Sequence, residues 1–439
     1  MKTLLLLLAI NWNADLTRIA EEVPKVHPNP FRTTTREAFL ADVEQLRARA
    51  PELQPHEVMV EMARIVATVN DGHTRLALPI DDAHQLFHRH VKTALPKDSS
   101  LWFHVIPQRF TIRGEALFLS DGRRVTRVGK MSAEEAIAAL KPVAPADNEW
   151  QRKDFVGSYM SVLEILHARK VIDSLTGVPI VFADGSAIVA KPSAAGAAAA
   201  PQEPWRFEYL AEQKAVYFDY DEVSNAKTET LAQFAERMFR FIDEQPVEKL
   251  IIDMRDNYGG NGTLNRSLLH GLIRAKKLQA PGTLFVLVGR RTFSAAMMFA
   301  TDLEQHTHAI FLGEPTAGAP NSYGDSRKIV LPESGLTLRV SSLYWQQSDP
   351  RDTRDTLTPH FLSETPMDIA LNYFGAPASE GTWEGVMSVE FRRIPITVVN
   401  GAVTTPEWKD YKFALRTGTK RMAGTMTLGG IEYLVTGER

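Results

Sequence analysis

The sequence predicts an α/β protein whose central part is a mostly parallel sheet flanked by helices, and two observations carry that expectation. Between about 205 and 375, apolar strand-like runs at 215–220, 250–254, 284–288 and 309–312 alternate with amphipathic helical runs at 229–244 and 264–275. Strands with apolar residues at successive positions are buried on both faces, as in a parallel sheet covered by helices. The second observation is the junction Gly289-Arg290-Arg291-Thr292-Phe293-Ser294-Ala295-Ala296-Met297-Met298. There the run 284–288 breaks at a short polar turn and a helix-forming run follows.

The other elements are read outward from this centre. Residues 1–95 are mainly helical, with apolar residues three and four apart in 14–19 and 57–66 and a turn at His27-Pro28-Asn29-Pro30. From 96 to 192 the pattern shortens to strands at 101–106, 116–120, 125–128 and 179–182 around a helix at 132–140, a small α+β module. The alanine-rich stretch 193–201 reads as a linker before the domain at 205–375. The remainder, 380–439, reads as a β-rich appendage, with runs at 388–391 and 394–399 and turns at Asn400-Gly401 and Gly429-Gly430.

Composition narrows the partners. The chain has 439 residues, 44% hydrophobic and 23% charged, which suits an ordinary globular protein of two to four domains. A formal net charge of −3 supplies no electrostatic reason to expect nucleic acid or an anionic membrane. With no cysteine, disulfides, thiolate nucleophiles and cysteine zinc sites are excluded. The apolar run 4–10 after Lys2 resembles a minimal signal peptide and points to a secreted or periplasmic protein. The alternative is an apolar first helix of a cytoplasmic protein. No run approaches the roughly 18 apolar residues of a membrane span.

Ser294 is the first candidate for chemistry. A serine between strand and helix directs its hydroxyl away from the sheet, while the first helical turn offers unpaired N–H groups to a developing oxyanion. The competing reading is an N-cap, in which the hydroxyl accepts a backbone N–H and stabilises the helix by about 1 kcal/mol. The strand 250–254 runs into Arg255-Asp256-Asn257-Tyr258-Gly259-Gly260, and paired glycines allow a close backbone approach with N–H groups converging on an anion. The alternative for Gly259 and Gly260 is a plain tight turn. His73 lies in the turn Asn70-Asp71-Gly72-His73-Thr74, where a neutral imidazole can act as a base.

Taken together, Asp71-Gly72-His73-Thr74, the segment 252–260, Thr292-Phe293-Ser294-Ala295-Ala296 and Gly313-Glu314-Pro315-Thr316-Ala317-Gly318 resemble the S41 serine peptidases. These are the tail-specific, C-terminal-processing and tricorn-core group. The resemblance implies a ClpP/crotonase-like catalytic sheet and, over 96–192, a degenerate PDZ-like module. It also implies a choice of base. Where the lysine-dependent branch has its lysine, this chain has Ala319, and the next lysine is Lys328. The histidine-base branch is therefore the expected one. By the resemblance Ser294 is the nucleophile, His73 the base, and Asp352 the supporting acid, with Asp355 as alternative. Gly259, Gly260 and Ala295 are the oxyanion donors. The bland reading of the aspartates is that they cap turns and pair with Arg351 or Arg354.

The implied reaction is peptide-bond hydrolysis through an acyl-enzyme on a polypeptide substrate, without metal or cofactor. His84, His88, His90, His306 and His308 form no recognisable ligand spacing. Two other readings keep the scaffold: an esterase using the same triad, and a non-catalytic protein that binds a hydrophobic ligand.

Overall fold

The computed structural model describes residues 10–81, 96, 98–193, 203–404 and 412–439. The run 4–9, the stretch 194–201 and His84, His88 and His90 lie outside the described residues. The chain forms two compact units, one of Met1–Ala200 with Ser322–Trp345, the other of Pro201–Asn321 with Gln346–Arg439.

In the first unit three helices, Trp12–Val26, Arg36–Arg49 and Pro55–Ala67, open the chain. Asn11 and Thr35 accept from backbone N–H groups at the first two starts, and Glu57 reaches back to the Gln54 N–H at the third. Beyond the third helix, Asn70 adopts φ 56°, and the chain turns through His73 into the strand Arg75–Ala77. That strand pairs antiparallel with Thr337–Val340, which pairs with Arg327–Val330. A segment from far downstream therefore completes the sheet beside His73. A second antiparallel sheet runs Phe110–Arg113, Ala116–Leu119, Arg124–Val128, Val178–Phe182, Ala187–Ala190. Helix Ala133–Leu140, opened by a Ser132–Glu135 capping box, packs on it. A single core joins Leu16, Val58, Leu117 and Leu338, so the helices and this small sheet form one body.

The strand expected at 101–106 is absent. Only Val105 makes bridges, to Val162 and Ser193, and the Ile106 N–H goes to the Ser161 carbonyl at 2.9 Å. Leu101, Phe103, Val105 and Ile106 are buried by packing, not by a ladder, while Trp102 is exposed.

The second unit carries a six-stranded sheet in the order Phe361–Leu362, Ile310–Gly313, Leu284–Val288, Lys249–Asp253, Ala215–Tyr220, Trp205–Leu210. Its first five strands are parallel, and the last returns antiparallel as a hairpin. Alternation within each strand explains the apolar runs. Leu250, Ile252, Leu284, Val286 and Val288 face a core shared with helices Leu231–Glu244, Asn265–Arg274 and Ala295–His306. Ile251, Phe285 and Leu287 face the other, with Phe361, Tyr373, Ala423 and Leu434. Both faces are thus buried, as the sequence requires.

The C-terminal strands form an antiparallel sheet ordered Ala402–Thr404, Arg392–Val399, Thr382–Val389, Ile431–Glu438, Arg421–Leu428, Lys412–Thr417. Asn400-Gly401 and Gly429-Gly430 are two-residue hairpin turns with positive φ at both positions. The strand expected at 388–391 is instead interrupted. Glu390 at φ 52° makes the turn between Thr382–Val389 and Arg392–Val399.

Candidate active site

Ser294 stands just beyond the carboxyl end of the strand Leu284–Val288 and immediately before the helix Ala295–His306. Its backbone has φ 53° and ψ −125°, and its side chain makes no capping hydrogen bond. The N-cap reading is therefore not the one realised. A non-glycine residue at such angles costs about 1–3 kcal/mol and persists only where its surroundings over-determine it. They do so here. Thr292 donates its hydroxyl to the Met254 carbonyl at 2.8 Å and accepts the Gly289 N–H at 3.0 Å. The Phe293 N–H reaches the Asn257 carbonyl at 3.0 Å, and Asn265 Nδ2 donates to the Ala295 carbonyl at 2.9 Å. Tyr220, through its hydroxyl, holds Asn265 Oδ1 at 2.7 Å.

The glycine loop leaves the neighbouring strand, Lys249–Asp253, at the same edge. Gly259 adopts φ 102°, and a Cβ there would lie 2.7 Å from both the Ala295 nitrogen and the Ser294 Cβ. Only glycine admits this approach. Its own N–H is given to Asn257 Oδ1 at 2.9 Å, whose Nδ2 donates to the Tyr220 carbonyl at 2.8 Å. Gly260, at φ 141°, packs against Val223, where a Cβ would meet the carbonyl oxygen at 2.3 Å. The structure thus brings Ser294, Ala295 and Gly259 together, and it commits the Gly259 N–H to the loop itself.

His73 lies in the first unit, with its side chain 16% exposed. Its backbone N–H donates to Asp71 Oδ1 at 3.0 Å, and its Nδ1 lies 3.9 Å from the same oxygen. Burial is the main reason the imidazole pKa falls to about 4; Asp71 and Asp325 oppose the fall, and Arg75 and Arg339 add to it. At neutral pH the ring is uncharged, the state a general base requires. Lys328 is exposed on its strand.

Asp352 is 4% exposed, and its carboxylate takes hydrogen bonds from Arg354 Nε and Nη2, both at 2.9 Å. Arg354 also pairs with Glu304. Asp349 pairs likewise with Arg351. This is the arginine-paired turn arrangement, with Asp352 buried in it. Asp355 is exposed. His308 Nδ1 donates to the Gln279 carbonyl, and among the described residues no group of three or more His, Asp or Glu side chains could hold a metal ion. Also among them, no helix is long and apolar enough to cross a membrane.

Asn265 escaped the sequence reading, and Asn257 and Thr292 entered it only as parts of motifs. Each holds backbone distant in sequence, which no local pattern reveals.

A strained serine at the head of a helix, on the carboxyl edge of a parallel sheet and against a glycine that admits a close backbone N–H, is an arrangement that serine hydrolases use. Residues 263–362, which include Ser294, match the family model "Peptidase family S41". That match spans 100 of the 439 residues, and over them the chain is similar to the S41 peptidases. No curated protein sequence matches it. Among solved structures, mature CPAF aligns at 10% identity over 82% of this chain and 94% of its own, with a TM-score of 0.53. CPAF complexed with lactacystin aligns at 11% over 82% and 96%, with a TM-score of 0.52. At that identity the likeness is one of fold.

Proposed function

We propose that this protein is a serine peptidase that cleaves polypeptide substrates by the histidine-base mechanism, with Ser294 as nucleophile and His73 as general base. The backbone of Ser294 carries the proposal: a positive φ with no capping bond leaves the hydroxyl to chemistry at a local energetic cost. Ser294 Oγ attacks the scissile carbonyl carbon and its proton passes to His73. The oxyanion is held by the N–H groups of Ala295 and Gly260. Neither donor has a hydrogen-bond acceptor among the described residues, while Gly259 serves by its missing side chain. Collapse of the intermediate breaks the C–N bond, and His73 returns the proton to the departing amine. Water then attacks the acyl-enzyme with His73 again as base, releasing the acid and regenerating Ser294. The exposed Lys328 and the alanine at 319 argue for histidine over lysine as base. The strand order of the second unit is consistent with a ClpP/crotonase-like sheet. The strands and helix between 110 and 190 form a small module that we read as a degenerate PDZ-like domain guiding peptide.

The test is fluorophosphonate labelling of the purified protein with peptide mapping, alongside a His73→Ala control. The expected adduct is on Ser294, is absent in Ser294→Ala and slows at least 100-fold in His73→Ala. Rapid labelling of folded His73→Ala would remove that residue from the mechanism. Cleavage of unfolded casein, compared with p-nitrophenyl ester turnover, separates peptidase from esterase.

A further inference from the structure

His73 sits above a buried carboxylate that the sequence reading took only as part of a motif. Asp71 has a side chain with 0% exposure, and its two oxygens face different partners. Oδ2 takes His27 Nε2 at 3.1 Å and the Thr74 hydroxyl at 2.5 Å. Both donor directions follow from second contacts. His27 Nδ1 accepts the Asn29 N–H at 3.0 Å, so Nε2 carries the proton. Thr74 Oγ1 accepts the Ser341 N–H at 3.0 Å, so its own hydrogen is available to Asp71. Oδ1 faces His73, accepting its N–H at 3.0 Å with Nδ1 at 3.9 Å. The Gly72 N–H between them is taken by Asp147 at 2.7 Å.

The bond from Oδ1 to the N–H two residues on is an ordinary Asx turn, which a surface Asn or Ser could make. Burying an ion for that purpose is costly, and the cost is met here by donors from Trp12–Val26's following turn and from the downstream strand segment. Burial alone would raise the Asp71 pKa. The hydrogen bond from His27, the attraction to His73 when that ring is protonated, and bonds from Ser341 and Thr74 outweigh it and hold the pKa low. Asp147, raised by burial and by Asp71, is the member of the pair that holds a proton. One negative charge, shared over the Asp71 carboxylate, is therefore kept beside the imidazole.

We propose that Asp71 is the positioning residue of the site, the carboxylate that orients His73 and supports its charge while it carries the Ser294 proton. The role rests on His73 being the base. It assigns to Asp71 what the resemblance gave to Asp352, whose oxygens are occupied by Arg354. Contact lengthens or shortens with small rotations of the ring, and catalytic hydrogen bonds are often long before substrate binds. The other charges facing His73 are Arg75, Arg339 and Asp325. The two arginines oppose its protonation, and Asp325 is exposed and screened.

The experiment follows His73 itself. NMR titration of ring-labelled histidine, assigned with a His73→Gln variant, is combined with kcat and KM against pH. Asp71→Asn is expected to keep His73 neutral through the pH range where the wild-type ring begins to protonate. It should also lower kcat about 100-fold or more at unchanged KM. His27→Phe removes one donor from Asp71 Oδ2 and should shift His73 the opposite way, to higher pH. It serves if Asp71→Asn does not fold. Asp352→Asn should leave the His73 titration in place. A wild-type titration in both folded Asp71→Asn and His27→Phe, or a shift produced by Asp352→Asn instead, overturns the proposal. Failure of wild-type Ser294 to label would overturn the proposed reaction, and leaves the His73 titration free to report on Asp71 separately.

Discussion

Ser294 and Gly259 show how two residues divide the work of one junction. The serine occupies backbone angles that cost energy, and the glycine occupies space that no side chain could share. The consequence is testable at Gly259→Ala. A methyl group there would sit 2.7 Å from the Ala295 nitrogen, in front of a proposed oxyanion donor. We expect kcat to fall about 100- to 1,000-fold with little change in KM, the loss typical of one missing oxyanion donor. Steady-state kinetics on a variant shown to be folded by circular dichroism decides it. Wild-type kcat would mean that the Ala295 N–H plays no part.

Elements place these residues by contacts that cross between them. Asn265, at the start of one helix, links a strand tyrosine to the first residue of the serine's helix. Thr292 and Asn257 tie adjacent strand–helix loops to each other. In the first unit, helices Pro55–Ala67 and Leu163–Ala168 meet through His56 Nε2 and His167 Nδ1 at 2.9 Å. Burial chiefly, then the His167 charge, lowers the His56 pKa to about 4. A neutral ring in the fold that protonates near 6.5 when unfolded adds stability above that value. The unfolded chain then gains the proton first, so this stability is lost as pH falls from about 6.5 to about 4. Thermal melts of the wild type should show a declining midpoint across that window, and His56→Gln should flatten the decline. An unchanged slope in His56→Gln would place the acid sensitivity elsewhere.

At the scale of the whole molecule, the first unit is discontinuous in sequence. It needs Ser322–Trp345, whose strand Thr337–Val340 pairs with Arg75–Ala77 directly after the His73 turn. Leu331, Leu336, Leu338 and Val340 belong to its core. Asp15, at 0% exposure, is satisfied by the Glu333 and Ser334 N–H groups at 2.9 and 3.0 Å. A fragment of residues 1–200 would take both N–H partners from that carboxylate and uncover an apolar surface. We expect it to melt without cooperativity, and to regain a cooperative transition when 322–345 is joined to it by a flexible linker. A sharp calorimetric transition for 1–200 alone would contradict this.

Much of this was legible along the chain. The parallel strands at 250–254 and 284–288, their helices, the two-residue hairpins and the strand–serine–helix junction are local patterns, set by apolar periodicity and turn chemistry over a few residues. Strand-like runs at 101–106 and 388–391 misled, because burial without a ladder and a turn at Glu390 leave the same apolar residues in the sequence. What only tertiary structure decided is which polar groups meet. His27 and Asp71 are 44 residues apart, and Thr74 and Ser341 are 267 apart. The sequence determined by itself where a nucleophile could stand, since that depends on local backbone. The ionised state of Asp71, beside the proposed base, depended on the fold, because a buried charge is stable only where distant donors converge on it.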